Sequence, residues 1–351
     1  MAHRHDLSHS SSVDEANMAA ISSSDIVIYP SFNDVNTSSG GGRINKALAK
    51  ATNTPGNFMP DPTPAMIAAG FQQLYKRFIS FQNSEDRPSN STRVYLKSVT
   101  PAGDRMYFFA GTQRDVQSGL SGSEDRFGTG VLTSGVSASA TEIDVTVEDP
   151  SVIIFRDTEL IVIDDGSNQQ FVAIDGTPTI DGSVVTITLA DALLYNFAIN
   201  TPVASVYEAG DIAPSVDNKS ITTAGSGTLD LDDVVPHSIG SCEAEITITF
   251  TSSTAFTCSA LIGSADDPID LGTGNISSSF APNHPDLGEA MFTIPSAAWG
   301  GTWATSDTAE FDLHPAAVPI WGDRNADADV ASSDTNTVSL MVTGYSGAAP
   351  A

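Results

Sequence analysis

The sequence predicts a mainly β, multi-domain protein. An N-terminal arm and an α+β assembly part would be followed by a small β-module and a C-terminal β-sandwich of jelly-roll or immunoglobulin-like type. Three observations carry this expectation. From residue 92 onward, short apolar segments alternate with polar residues at a period of two, as half-buried strands do. Asp-Gly pairs and Gly/Ser-rich stretches punctuate them, as hairpin turns do. At 351 residues the chain is long enough for two or three domains with sizeable cores.

Residues 1–24 are Ser- and Ala-rich without periodicity and read as an extended arm. Residues 25–126 form the expected assembly domain. Asp25–Pro30 reads as a strand stopped by proline, and residues 31–42 as a loop ending in three glycines. Pro64 suits a first helical turn, and Ile67, Phe71, Leu74, Phe78 and Phe81 follow at spacings of four, three, four and three. The spacing predicts an amphipathic helix over 64–82, with Lys76 and Arg77 pointing away from the apolar stripe. Arg93–Val99 and Met106–Phe109, joined by Pro101–Asp104, read as a hairpin.

Residues 127–210 read as a small all-β module. Its candidate strands are Ile143–Val147, Val152–Phe155, Leu160–Ile163, Gln170–Ile174, Val184–Leu189 and Val203–Tyr207, with a helical turn at Ala190–Asn196. Residues 211–351 read as an acidic β-sandwich. Ala244–Phe250 alternates cleanly, and Phe256–Leu261, Ala290–Ile294, Ala309–Leu313 and Val338–Val342 follow.

Charge divides the chain differently from hydropathy. The net charge is -28, yet residues 1–126 hold 12 basic and 12 acidic side chains. Residues 127–351 hold 31 acidic side chains against three basic ones, Arg156, Lys219 and Arg324. Such a balance excludes nucleic-acid binding by the chain as a whole and disfavours anionic membranes. It suggests a first third that makes contacts and an acidic remainder that faces the medium. No apolar run reaches the roughly 18 residues of a membrane span, and no signal peptide is read at the N-terminus.

The search for chemistry yields little that is enzymatic. No nucleophile elbow, phosphate loop, zinc-protease or dinucleotide motif occurs. His237, His284 and His314 each neighbour a proline and read as turn or packing residues. The early histidines His3, His5 and His9 read as part of a flexible start. Cys242 and Cys258 fall on successive expected strands. A turn centred near Ser252 and Ser253 would place Cys258 opposite Thr247, so the thiols are expected free and buried. One acidic segment is more specific. Asp323, Asn325, Asp327, Asp329 and Asp334 place oxygen side chains at loop positions one, three, five, seven and twelve, with Val330 as the apolar anchor. That resembles a calcium-binding loop of EF-hand type, with Ala328 in place of its glycine and Asp334 in place of its glutamate. The alternative is a solvated acidic loop. Asp230, Asp232 and Asp233 form a weaker cluster.

Several segments resemble uncharacterised virion structural proteins of tailed bacteriophages, of siphovirus or Mu-like particles. They are Ser24–Ser31, Gly40–Ile44, Ala110–Gln117, Val131–Ala138, Phe292–Gly300 and His314–Trp321. The resemblance implies a non-enzymatic virion building block, assembled in the host cytoplasm with copies of itself and other virion proteins. Tail or neck is the expected position, and capsid-exterior decoration the alternative. The acidic run Asp323–Asp334 departs from the pattern. A second class of function would use the C-terminal sandwich as a receptor- or carbohydrate-binding module. Trp299, Trp303 and Trp321 would then stack on a host-surface glycan, with Ca2+ at Asp323–Asp334. A third would be an enzyme acting on host polysaccharide through a carboxylate pair.

Overall fold

The computed structural model describes residues 21–50, 58–97, 104–263, 267–328 and 338–347. The mainly β expectation holds: antiparallel sheets dominate, and the one described α-helix is Pro64–Ala69.

The central sheet has five strands in the order Gly41–Ile44, Ile26–Asn33, Phe71–Phe81, Ala317–Ala326 and Asp104–Ala110. A nine-stranded sheet carries the small module, with Glu142–Val147, Val184–Thr188 and Leu160–Asp164 among its strands. Pro202–Ile212 links this module to Ser89–Leu96, on which Leu340–Ser346 also pairs. The third large sheet has five strands, Ser215–Thr222, Thr308–His314, Ala244–Phe250, Ala255–Ile262 and Ile269–Asn275.

The central sheet is a middle layer. Tyr29, Ile44 and Phe78 join the core built on Ile246, Ile248, Phe250 and Phe311 of the third sheet. Ile79, Phe81, Phe108 and Ile320 join another core, with Val94 and Leu96 of the large sheet. Strands buried on both faces lose the polar alternation that marks a half-exposed strand.

This explains the main correction. The helix expected over 64–82 ends at Ala69, and Phe71–Phe81 is the central strand. The N-terminal signals were sound: Pro64 lies in the first turn, and the Thr63 hydroxyl accepts from Met66 N at 3.3 Å. Gly70, at φ 74°, then turns the chain. Phe78 enters one core while Ile79 and Phe81 enter the other, so the large residues mimic helical spacing without a helix. Lys76 and Arg77, expected to point outward, are each 1% exposed.

The hairpin expected from Arg93 to Phe109 is also corrected. Ser89–Leu96 and Asp104–Ala110 belong to different sheets, and residues 98–103 lie outside the described set. Val152–Phe155 and Ala190–Asn196 are irregular, not strand and helical turn. Most other strands of the module appear where alternation placed them, and Gly182 (φ 59°) supplies the turn between Thr179–Asp181 and Val184–Thr188. Cys258 pairs across from Ile248, one residue from the expected Thr247, and both cysteines are free and buried as expected.

Strand pairing crosses the boundaries expected at 126 and 210. Ala317–Ala326 inserts between Phe71–Phe81 and Asp104–Ala110, and Leu340–Ser346 returns to Ser89–Leu96. The last part of the chain therefore completes sheets begun by the first. Of the arm expected over 1–24, residues 1–20, and with them His3, His5 and His9, lie outside the described residues; Ile21 N donates to Gly344 O, and Ser23–Asp25 forms a 3-10 turn.

Candidate functional site

The chemistry-bearing side chains gather where the central sheet meets the acidic third sheet. Arg43, on Gly41–Ile44, donates from Nη1 to Leu261 O (3.1 Å) and Gly263 O (3.2 Å) and pairs with Glu245. Arg114, in the loop after Asp104–Ala110, pairs through Nε with Glu243, through Nη1 with Glu245 (2.9 Å) and through Nη2 with Asp312 (3.3 Å). Glu243 is 1% exposed. Its second oxygen meets His314 Nδ1 at 2.7 Å, and His314 Nε2 meets Asp217 at 3.0 Å. The hydrogen bond to Glu243, more than the opposing burial, raises the His314 pKa to about 9. His314 is thus a cation at neutral pH, and Arg43, Arg114 and His314 together form a three-armed clamp on Glu243 and Glu245.

Three further contacts extend it. Lys46 Nζ donates to Ser238 O (3.2 Å) and Ile239 O (2.8 Å), and burial lowers its pKa to about 8. Asp86 accepts from Ser238 N at 2.7 Å and sits 2.7 Å from His237 Nδ1. Lys76 Nζ donates to Gly42 O (2.7 Å) and Asp115 O (3.1 Å), while Trp321 Nε1 donates to Asp115 Oδ2 (2.8 Å). Every described Lys and Arg among residues 1–126 is held by a carboxylate or a backbone carbonyl of this chain. Part of that charge is met inside the first third, as in Lys50–Asp34, Lys76–Asp115, Arg77–Asp34 and Arg87–Glu85, while Arg43, Arg93, Lys97, Arg105, Arg114 and Arg126 reach carboxylates of the acidic parts that follow.

The calcium-like segment takes a different form from the expected loop over its described part. Asp323 and Asn325 lie in the strand Ala317–Ala326, and Asp327 follows it. Asp323, 1% exposed, accepts from Gln72 Nε2 at 2.9 Å and Arg126 Nε at 2.8 Å. Asp327 accepts from Arg105 Nη2 at 2.6 Å. Asp329 and Asp334 lie outside the described residues. Asp230 accepts from Asp232 N at 3.2 Å, a turn contact. Asp217, Asp312 and His314 form the one described cluster with metal-ligand spacing, and His314 is already committed there as a cation.

Trp303 and Trp321 are core residues, which corrects the stacking expectation for those two, and Trp299 is half-buried against the core. Trp303 lies face to face with Phe250 at 4.1 Å, Trp299 packs edge-on against both, and Trp321 is fully buried. Cys242 and Cys258 have thiols pushed up to about 12 by burial, which leaves them unreactive. A cavity of about 560 Å³ in the small module is walled by Val147, Ile154, Phe155, Ile180, Arg126 and Arg156. Its arginines are taken: Arg126 by Asp323, and Arg156 by Asp125 and Glu159.

The clamp was not legible in the sequence. Its partners lie far apart in the chain, as with Arg43 and Glu245. The available signal was Lys76 and Arg77 inside an otherwise apolar run.

Comparisons with known proteins give little. No protein-family model matches the chain, and no curated protein matches it. Among solved structures, VP17, a capsid protein of bacteriophage P23-77, is 11% identical over 73% of this chain and 88% of that one, with a TM-score of 0.12. The VP2 subviral particle of infectious bursal disease virus is 10% identical over 95% of this chain and 75% of that one, with a TM-score of 0.14. At TM-scores this low the likeness carries no argument about fold or function.

Proposed function

We propose that the protein is a non-enzymatic structural component of a virion and, following the resemblance of its segments, of a tailed-phage particle at tail or neck. One observation supports this most. Four of the six segments that carry the resemblance converge on the central sheet and its clamp: Ser24–Ser31, Gly40–Ile44, Ala110–Gln117 and His314–Trp321. Gly42 N donates to Asp115 O, Gln113 to Ala317 O, and Gly111 N to Pro319 O. The shared pattern thus specifies a scaffold, not a reaction centre. Its polar groups are used to fix layers together, and the surplus of carboxylates is left for the exterior, where like charge keeps particles apart.

The test is compositional. Particles purified by density gradient from the producing culture are digested and their peptides quantified. The protein should co-purify in a fixed ratio of many copies per particle. Its confinement to the unassembled lysate fraction would overturn the proposal.

A further inference from the structure

Inside the clamp, one pair of side chains is arranged for more than charge neutralisation. Lys76 Nζ lies 2.5 Å from Asp115 Oδ1, with the lysine side chain fully buried. Oδ1 is buried, and the Lys76 ammonium is the charged group held against it. The remaining groups fix both partners. Gly42 O and Asp115 O hold Nζ, and Trp321 Nε1–H holds Oδ2 at 2.8 Å. Aromatic and backbone groups wall the lysine, whose side chain is fully buried, while that of Asp115 stays 20% exposed: Phe78 lies 5.0 Å from Nζ, Trp321 pairs across from Lys76 and stacks on Phe109, and a side chain at Gly41 would strike Trp321 at 2.7 Å.

We propose that Lys76 and Asp115 join in an intramolecular amide cross-link that forms spontaneously in the folded protein. The components balance without any outside reactant. A proton passes from the Lys76 ammonium to Asp115 Oδ1, leaving a neutral amine and a carboxylic acid. Burial of the Lys76 side chain lowers its pKa and so favours the amine form that the step needs. The amine lone pair attacks Asp115 Cγ and the new N–C bond forms. Trp321 Nε1–H, already on Oδ2, stabilises the negative charge that develops there. A second proton passes from nitrogen to Oδ1, the Cγ–Oδ1 bond breaks, and Oδ1 leaves as water. Ammonium plus carboxylate has become amide plus water. The fold supplies the rate by holding the two groups in reacting position, where effective concentrations far exceed those in solution. The product would tie the central strand covalently to the loop that carries Arg114.

Intact-mass measurement of the purified full-length chain under denaturing conditions tests this. The expected mass is one water below that of the sequence. A tryptic digest should lose cleavage at Lys76 and yield one branched species joining the peptides that contain Lys76 and Asp115. Asp-Gly sites such as Asp181-Gly182 also lose water by cyclising. The branched peptide, and resistance to mild alkali and hydroxylamine, distinguish the two. Lys76→Arg and Asp115→Ala should each restore the full mass expected for the variant. A wild-type mass equal to that of the sequence, with ordinary cleavage at Lys76 after prolonged incubation of folded protein, would overturn the proposal whatever the variants do.

Discussion

His314 shows how one side chain can set the pH response of a contact. Its ordinary pKa of 6.5 rises to about 9 in the fold, first because of its hydrogen bond to Glu243. A group whose folded pKa is raised binds its proton more tightly in the native state. Its stabilisation is therefore complete below about pH 6.5 and is lost as pH rises through about 9. Urea midpoints measured from pH 6 to 10 should fall over that upper range, and His314→Gln should flatten the fall. An unchanged pH slope in the variant would show that the clamp does not depend on this proton. Asp323 gives a second test. It is buried between Arg126 and Gln72, so Asp323→Ala leaves a partly buried guanidinium without its carboxylate. The expected loss is about 3–5 kcal/mol by denaturant titration. A loss below about 1 kcal/mol would instead match an exposed, screened pair.

Gly70 marks the element that the sequence misreports. It separates a one-and-a-half-turn helix from the central strand, and a Cβ there would meet Ala328 N at 3.1 Å in a left-handed backbone. Gly70→Ala should cost about 1–2 kcal/mol, read as a lowered midpoint in thermal or urea melts; a neutral result would contradict that geometry. The contrast with Ala244–Phe250 shows what the sequence discloses. That strand buries Ile246, Ile248 and Phe250 and leaves Glu245, Thr247 and Thr249 partly exposed, so its alternation is written in the chain. Phe71–Phe81 is buried on both faces over most of its length, and its neighbour Ala317–Ala326 comes from the far end of the sequence. Neither fact leaves a local trace. The free thiols were readable from spacing alone, with a register error of one residue. The clamp was not, because Arg114 becomes intelligible only beside Glu243, Glu245 and Asp312.

At the scale of the whole molecule, Ala317–Ala326 and Leu340–Ser346 complete sheets begun by strands of the first third. The strand Ala317–Ala326 has the central position between two strands of the first third, so a chain ending at residue 316 should lose its cooperative unfolding transition. Retention of a sharp transition in that truncation would mean that the sheets fold independently. The same arrangement refines the meaning of the net charge of -28. Cations of the charge-balanced first third neutralise the buried carboxylates Asp164, Glu243 and Asp323, and most of the acidic excess lies at exposed positions. An acidic exterior of that kind would suit the proposed particle component, because like charge keeps particles apart. Cryo-electron microscopy of purified particles decorated with a Fab against the acidic third sheet tests this most directly. The Fab should appear at regularly repeated positions on the particle exterior. Undecorated particles, with all Fab bound to free protein, would contradict the structural role.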